Sequence, residues 1–542
     1  MGIKAVDERS LLQLGAQARL SLVGQRCGMA NAIYSGGMGQ KYTSLHMRHL
    51  CPNGADAIQL VYPGFTNNPY GQGESSLPVS MFQARVNDPV TISGGSGFAA
   101  GDTFTMAVTS GTGMAAATAM VTAVSSGVPA SAVVVDGGLY NTIPSTTPAS
   151  TSGSGSVSGM TATFNWLPGV AGLHIGIEPV WGTLTTVMGG SGAVVPVGKG
   201  LKYDTSLNYH LLVPCGDFLV TDLIPVDVPV GGAIGIRTSM GCTTPVYGRT
   251  IITSTTAPNA PSANYESNNG GTTFSDLSVS GSFNGTNAFP DGYEPILILG
   301  IPKQQSPTVI AVGDSRCWEN STGANSITIG GYSTAIDVAD NDGNYSWFEK
   351  ALSLTTSHCY WPWSNLSMQG DQLAHFLSAN FSSSYMGGMG RLKAIGMAKP
   401  TAVYMGLNIN DFGNGVTLAN MQKYEQEMIG LLRGLGVKYV FTDTTDPDTT
   451  STDSWATTTN QTQASCSGNI IARNEALAAG TWAAYDFFID QRPNSESSIN
   501  SGLWAVNGTA GWGTGDGLHA SPQIVTLKAA TAAAAIAANI SL

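Results

Sequence analysis

Charged residues are scarce in this chain of 542 residues: 11% are Asp, Glu, Lys or Arg, against roughly 25% in an average soluble protein. The 23 Lys and Arg residues form no cluster, and the formal net charge is −12. Nucleic acids and anionic membranes bind proteins through clustered basic residues, which displace bound counterions. We therefore expect neither nucleic acid nor a membrane surface among the partners of this protein.

Several other signatures are missing. No apolar run reaches the roughly 18 residues of a membrane span, and the stretch from Met1 to Ala32 lacks the basic start and apolar core of an export signal. The seven cysteines are widely spaced and odd in number, none lies in a CxxC, and there is no HExxH. These absences predict a soluble protein with no metal site, no other cofactor and no disulfide framework.

Composition changes along the chain indicate about three domains. We interpret residues 1–44 as an N-terminal helical arm and residues 45–88 and 167–306 as two pieces of one β-sandwich. Residues 89–166 are interpreted as a β module inserted into that sandwich, and residues 307–542 as an α/β domain. Leucines at helical spacing from Leu11 to Leu22 suggest the arm. The sandwich is a candidate carbohydrate-binding domain, although aromatic residues in β proteins more often belong to the core.

The inserted module is almost uncharged. Between Pro89 and Trp166 the only charged residues are Asp102 and Asp136, and Gly, Ser, Thr, Ala and Val dominate in short alternating runs. β-branched residues in alternation favour strands over a flexible linker. With its GGSGFAAGDTFTM start and its VVVDGGLYNTIP run, the module resembles glycine-rich β repeats of phage tail and other virion proteins.

From residue 307 onward strands and helices alternate, which is typical of a parallel sheet with helices on both faces. In TVIAVGDSRCWEN, Ser315 follows a buried strand, at the edge of the sheet where α/β proteins bind ligands. Residues 313–317 lack the last glycine of GxSxG, which argues against the α/β-hydrolase elbow. Taken alone, Gly-Asp-Ser is also compatible with an ordinary turn.

Two further segments carry residues that would complete such a site. In GTGDGLHASP, His519 is a candidate general base for the Ser315 hydroxyl, and Asp516 a candidate to hold its imidazole. Gly370 and Asn410 each follow a strand and are candidates to donate hydrogen bonds to an oxyanion. Taken singly, each of these residues is also compatible with a turn or a helix cap.

Together, Ser315, Gly370, Asn410 and Asp516-x-x-His519 occur in an order that resembles the sequence blocks of the SGNH (GDSL) hydrolases. The resemblance covers residues 307–542 and implies a flavodoxin-like three-layer fold, a Ser-His-Asp triad, and an oxyanion hole formed by Ser315, Gly370 and Asn410. The third block departs from the family's Gly-x-Asn-Asp, because it reads Gly-Leu-Asn-Ile-Asn-Asp. Asn408 therefore remains the alternative to Asn410. The preceding β region, with AIQLVYPGF and EPILILGIP, resembles the jelly-roll domain that precedes the catalytic domain in some SGNH proteins.

The resemblance implies a serine esterase that needs no cofactor. The accompanying β domains favour an acyl group, acetyl in particular, on a polysaccharide, by analogy of fold. The alternative is a catalytically inactive structural virion protein that binds a receptor or glycan, and a serine peptidase is disfavoured because the motif set is that of esterases. The expected partners are an acylated polysaccharide or another small ester, and further copies of the chain in a homo-oligomer or virion. The expected location is extracellular or virion-associated.

Overall fold

The computed structural model describes residues 20–25, 27–28, 41–63, 79–82, 85–106, 113–136, 139–140, 147–167, 174–178, 186–187, 202–203, 210–213, 218–221, 223–242, 264–268, 295–317, 325–329, 332–336, 346–353, 360–377 and 387–542. Everything below concerns these residues.

The described residues before 307 include two large antiparallel sheets. The first contains the strands Ser21–Leu22, Ala55–Pro63, Phe218–Val220, Ile224–Val228 and Leu297–Ile301. The second contains Lys41–Cys51, Val79–Phe82, His174–Glu178, Thr186–Val187, Lys202–Tyr203, His210–Val213, Gly232–Cys242 and Asn264–Asn268. Leu60 and Ile298 of the first sheet pack in one buried core with Ile177 and Ile236 of the second. The β-type runs predicted here are confirmed as strands, and the β-sandwich itself remains a prediction.

The inserted module has a sheet and a core of its own. Its strands are Thr103–Met106, Thr118–Ser125, Val128–Asp136 and Pro148–Ser152, with a separate pair of Gly113–Ala115 and Leu139–Tyr140. Phe104, Val121 and Met160 are buried in its core. The flanking strands Arg85–Ser93 and Thr161–Leu167 pair antiparallel, so the chain enters and leaves the module side by side. The limits of the module at 89 and 166 remain a prediction, and both lie within this strand pair.

The C-terminal region contains a six-stranded parallel sheet in the order Cys27–Gly28, Trp363–Asn365, Val309–Gly313, Ala402–Gly406, Tyr439–Asp443, Phe487–Ile489. Numbered along the chain from Val309–Gly313, the last five strands follow the order 2-1-3-4-5 of flavodoxin-like doubly wound sheets. A separate buried core lies on each face of the sheet. The helices described in this region are Trp347–Ser353, Leu373–Phe376, Met389–Ala398, Ile409–Gly413, Leu418–Gly434, Ser467–Ala478, Arg492–Ser495 and Pro522–Asn539. Two short strand pairs lie outside the parallel sheet, Asn325–Ile329 with Tyr332–Ile336 and Thr449–Ser451 with Gln461–Gln463. A 3-10 helix spans Thr458–Asn460.

The N-terminal arm is not helical where the structure describes it. Ser21–Leu22 pairs with Leu297–Ile301, and Cys27–Gly28 is the edge strand of the parallel sheet. The neighbours Leu22 and Val23 enter different cores, in agreement with the alternating side chains of extended chain. The predicted helical arm at 1–44 is therefore wrong for this part, and the strand Lys41–Cys51 also begins inside it. The other leucines of the pattern, from Leu11 onward, lie outside the described residues.

Candidate active site

Ser315 lies in a tight turn at the carboxyl end of the buried strand Val309–Gly313. The Cys317 amide donates to the Asp314 carbonyl (3.1 Å), which closes the turn. A Cβ at Gly313 would lie 2.7 Å from Cys317 Cβ, so the turn requires glycine there. Ser315 itself is buried, with 4% of its surface exposed. The neighbouring strand is Ala402–Gly406, and the chain order reverses between these two strands, which is the ligand-binding position in doubly wound sheets.

His519 and Asp516 form a hydrogen-bonded chain with Ser315. His519 Nε2 lies 2.8 Å from Ser315 Oγ, and His519 Nδ1 lies 2.7 Å from Asp516 Oδ2. Asp516 Oδ1 accepts from the backbone amides of Leu518 (2.9 Å) and His519 (2.8 Å). Burial raises the pKa of Asp516, but the hydrogen bonds and charge of His519 outweigh burial and lower it. The charged carboxylate can therefore orient the imidazole and stabilise its protonated form.

A hairpin holds the loop that carries these two residues, which we call the histidine loop (residues 514–520). The carbonyl of Gly517 accepts from the Thr449 amide (3.0 Å) and from Trp504 Nε1 (2.7 Å). Thr449 belongs to the strand pair Thr449–Ser451 and Gln461–Gln463. The segment 443–465 is rich in Thr, Ser and Asp, which is typical of a surface loop, and the structure has this hairpin within it, bonded to the histidine loop.

Gly370 lies in the turn after the strand Trp363–Asn365. Its φ of +70° is one that glycine adopts readily. The next residue, Asp371, forms a fully buried ion pair with Arg391 (2.6 Å). Burial raises the pKa of Asp371, while Arg391 acts in the opposite direction. The buried ion pair between Asp371 and Arg391 therefore holds the turn that contains Gly370 in place.

Asn410 and Asp411 hold this same turn from the neighbouring segment. Asn410 Nδ2 donates to the Asp371 carbonyl (3.0 Å). The Asp411 carboxylate accepts from the backbone amides of Leu373 (2.8 Å) and Ala374 (2.9 Å), at the start of the helix Leu373–Phe376. The Asn410 side chain, favoured from sequence as an oxyanion donor, is thus bonded to backbone.

Asn408, the alternative to Asn410, lies beside the turn that contains Ser315. Gly313 and Gly406 are register partners in neighbouring parallel strands, and Ser315 and Asn408 each follow two residues later. Arg316, the residue after Ser315, donates from Nη2 to Asn408 Oδ1 (2.7 Å). Among the described residues, Asn408 Nδ2 is a buried donor with no hydrogen-bond partner. The geometry therefore favours Asn408 over Asn410 as the candidate oxyanion donor. The strand ends at Gly406, so the residue two positions past its end is Asn408 and not Asn410.

The described part of the chain has neither a metal-binding cluster nor a membrane-spanning helix. It contains no group of three or more His, Cys, Asp or Glu side chains arranged to hold a metal ion. None of its helices has the length and apolar character needed to cross a membrane.

No family model and no curated protein matches the sequence. Among solved structures, a carbohydrate acetylesterase family member from Sinorhizobium meliloti is 12% identical, with 43% of this chain and 97% of that chain covered and a TM-score of 0.29. A carbohydrate esterase family 3 protein from Talaromyces cellulolyticus is 15% identical (43% and 96% covered, TM-score 0.26). A GDSL-like lipase from Bacteroides thetaiotaomicron is 13% identical (42% and 87% covered, TM-score 0.26).

Proposed function

We propose that this protein is a serine esterase of the SGNH (GDSL) type, with Ser315 as nucleophile, His519 as general base and Asp516 as the residue that orients His519. The observation that carries the proposal is the unbroken hydrogen-bonded chain from Ser315 Oγ through His519 to Asp516, with distances of 2.8 and 2.7 Å. Ser315 lies at the carboxyl ends of the parallel strands, where doubly wound proteins bind their ligands.

In this mechanism Ser315 Oγ bonds to the ester carbonyl carbon while His519 Nε2 takes the hydroxyl proton. The tetrahedral intermediate then breaks its bond to the alcohol oxygen, and His519 returns the proton to the departing alcohol. A water molecule, deprotonated by His519, releases the acid from Ser315 in the same way. Asp516 remains a carboxylate throughout and stabilises the imidazolium.

The proposed oxyanion hole combines the backbone amides of Ser315 and Gly370 with Asn408 Nδ2. An unpaired buried donor costs about 1–3 kcal/mol, and the negative oxygen of the intermediate would satisfy it. Because Asn408 is fully buried, the side chains that cover it must move aside when substrate enters. In this proposal Asn410 does not contact the oxyanion, and it holds the turn that contains Gly370 through its hydrogen bond to the Asp371 carbonyl.

The esterase activity is tested with p-nitrophenyl acetate and longer acyl esters, on wild type, Ser315→Ala and His519→Ala. We expect wild type to turn over and both variants to lose roughly a thousandfold or more in kcat, as for a broken triad. Labelling of Ser315 by a fluorophosphonate probe reports the nucleophile independently of ester choice. Wild type that neither labels nor hydrolyses any ester would refute the proposal.

For the substrate, we propose an acyl ester, acetyl in particular, on an extracellular or virion-exposed polysaccharide that the N-terminal sheets help to hold. The support is the presence of two further β regions in the same chain, including a module with its own core. The test is acetate release from an O-acetylated polysaccharide, with the chemically deacetylated polymer as control. Hydrolysis of p-nitrophenyl acetate without acetate release would reject the polysaccharide. Binding of the polymer by a protein inactive on every ester would favour a structural glycan-binding protein.

A further inference from the structure

The side-chain oxygen of Asn408 accepts two hydrogen bonds. Arg316 Nη2 donates to Oδ1 at 2.7 Å and Thr445 Oγ1 donates to it at 3.0 Å. A carbonyl oxygen has two lone pairs, so both acceptor positions of this amide are filled. The Nδ2 end, which has no hydrogen-bond partner among the described residues, must then face away from both donors.

The polarity of this arrangement is fixed by its neighbours. An arginine has only donors, so it can bind the oxygen end of Asn408 and not the nitrogen end. Thr445 Oγ1 accepts from Arg473 Nη1 (3.1 Å), which leaves its single hydrogen to be donated to Asn408. A flipped amide would place Nδ2 against two donors, which leaves those donors unpaired and is strongly disfavoured.

Both arginines are anchored by buried carboxylates. Arg316 donates to Asp314 from Nε (3.2 Å) and Nη2 (3.1 Å), and Arg473 Nε donates to Glu425 (2.8 Å). Arg473, Asp314 and Glu425 are almost completely buried. Because the two arginines are held in place, the donors to Asn408 are also fixed in position.

We infer that Arg316 and Thr445 are positioning residues, which hold the Asn408 amide with its oxygen turned inward and its Nδ2 free to stabilise the oxyanion. The inference rests on the proposed esterase function and on the proposed role of Asn408. Preorganised donors contribute most when they need no reorientation during the reaction. Arg316 and Thr445 therefore act on the rate through Asn408 and need no contact with substrate.

The test is Thr445→Val, which removes the hydroxyl and keeps the shape, with Thr442→Val as the matched control. Thr442 lies on the strand Tyr439–Asp443, and its hydroxyl also accepts from Arg473 (3.1 Å). That hydroxyl donates to the Met405 carbonyl (2.7 Å) and not to Asn408. We expect Thr445→Val to lower kcat about tenfold and to change KM by less than about twofold, because a donor has lost its alignment. Thr442→Val should lower the melting temperature to a similar extent and leave kcat near wild type, and Thr445→Ser should restore most of the rate.

A double-mutant cycle then tests whether Thr445 acts through Asn408. In an Asn408→Ala background, Thr445→Val should cause no further loss, because the amide that it positions is gone. Additive losses would overturn the inference, as would equal losses in Thr445→Val and Thr442→Val. Arg316→Lys keeps a charge for Asp314 but lacks the planar fork, and it should lower kcat in wild type and not in Asn408→Ala. Fluorophosphonate labelling of Ser315 in wild type separates failure of this inference from failure of the esterase proposal.

Discussion

At the scale of single residues, Asn408 and Asn410 differ in what their amides already bind. Asn408 Nδ2 has no partner in the part of the chain that the structure describes, whereas Asn410 Nδ2 donates to the Asp371 carbonyl. We expect Asn408→Ala to lower kcat/KM by about a hundredfold or more, as for loss of an oxyanion donor. Asn410→Ala should have the smaller effect on rate and should lower the melting temperature, because it releases the Gly370 turn. Activity and thermal unfolding of both variants check this, and a larger rate loss in Asn410→Ala would assign the donor to Asn410.

Glu496 predicts a pH dependence of stability. Its Oε1 is buried with no hydrogen-bond partner among the described residues, and burial raises the pKa of Glu496 from 4.5 to about 7. In that window of pH the unfolded chain has released the proton and the folded chain has kept it, so stability falls as pH rises. Glu496→Gln removes the charge that burial penalises. We expect the variant to melt higher than wild type at pH 8, with a difference that shrinks toward pH 5. A difference that is constant with pH, or grows toward low pH, would contradict this.

The sequence allowed some residues of the site to be predicted better than others. Ser315, Asp516 and His519 belong to short motifs beside a strand or a helix start, so their positions follow from local pattern. The choice between Asn408 and Asn410 depends on where the preceding strand ends. Apolar residues continue past Gly406 to Leu407 and Ile409, so the hydrophobic pattern does not mark that end, and the register with Gly313 locates it.

At the scale of elements, the hairpin and the histidine loop meet at Gly517. A Cβ there would lie 1.8 Å from the Thr449 carbonyl oxygen, and φ is +85°. Gly415 has nearly the same φ, +84°, with nothing within 4 Å of an added Cβ. Alanine at either position costs about 1–2 kcal/mol for its left-handed backbone, and only Gly517→Ala adds a clash. We expect Gly517→Ala to lose esterase activity and Gly415→Ala to keep it, measured at temperatures where both are folded. Equal activities would mean that the hairpin does not position His519.

The elements themselves were predictable where apolar side chains repeat. The helix Leu418–Gly434 buries Met421, Met428 and Leu432, which are seven and four residues apart and so lie on one face. Ser521 caps the last helix ahead of Pro522, a pattern typical of a helix start. The strands Thr449–Ser451 and Gln461–Gln463 carry only Thr, Ser and Gln, so they show no alternation of apolar and polar side chains. Thr449 also bonds to Gly517 of the histidine loop, a contact between distant parts of the sequence that a local pattern does not contain.

At the scale of the whole molecule, the α/β region shares a core with the first antiparallel sheet. One face of the parallel sheet packs with buried residues from before residue 307, namely Leu22, Val61, Phe218, Ile296, Leu297 and Leu299. Gln25 Nε2 donates to the carbonyls of Leu352 (3.2 Å) and Trp361 (2.7 Å), and Cys27–Gly28 pairs with Trp363–Asn365. The boundary at 307, which follows the change in sequence pattern, therefore cuts through a packed core.

The fragment 307–542 should for this reason be less stable, less soluble and less active than the full chain, although it contains the complete triad. Six buried apolar side chains would be lost, each worth about 1.5–3 kcal/mol, and Trp363–Asn365 would become an open edge strand prone to association. In the full chain, Leu297→Ala should cost about 2–5 kcal/mol and lower the temperature at which esterase activity is lost. Met106→Ala, a truncation in the separate core of the inserted module, should leave that temperature near wild type, because its cavity lies in a different folding unit. If the fragment proves as stable and active as the full chain, the shared core contributes little and residues 307–542 fold as an independent domain.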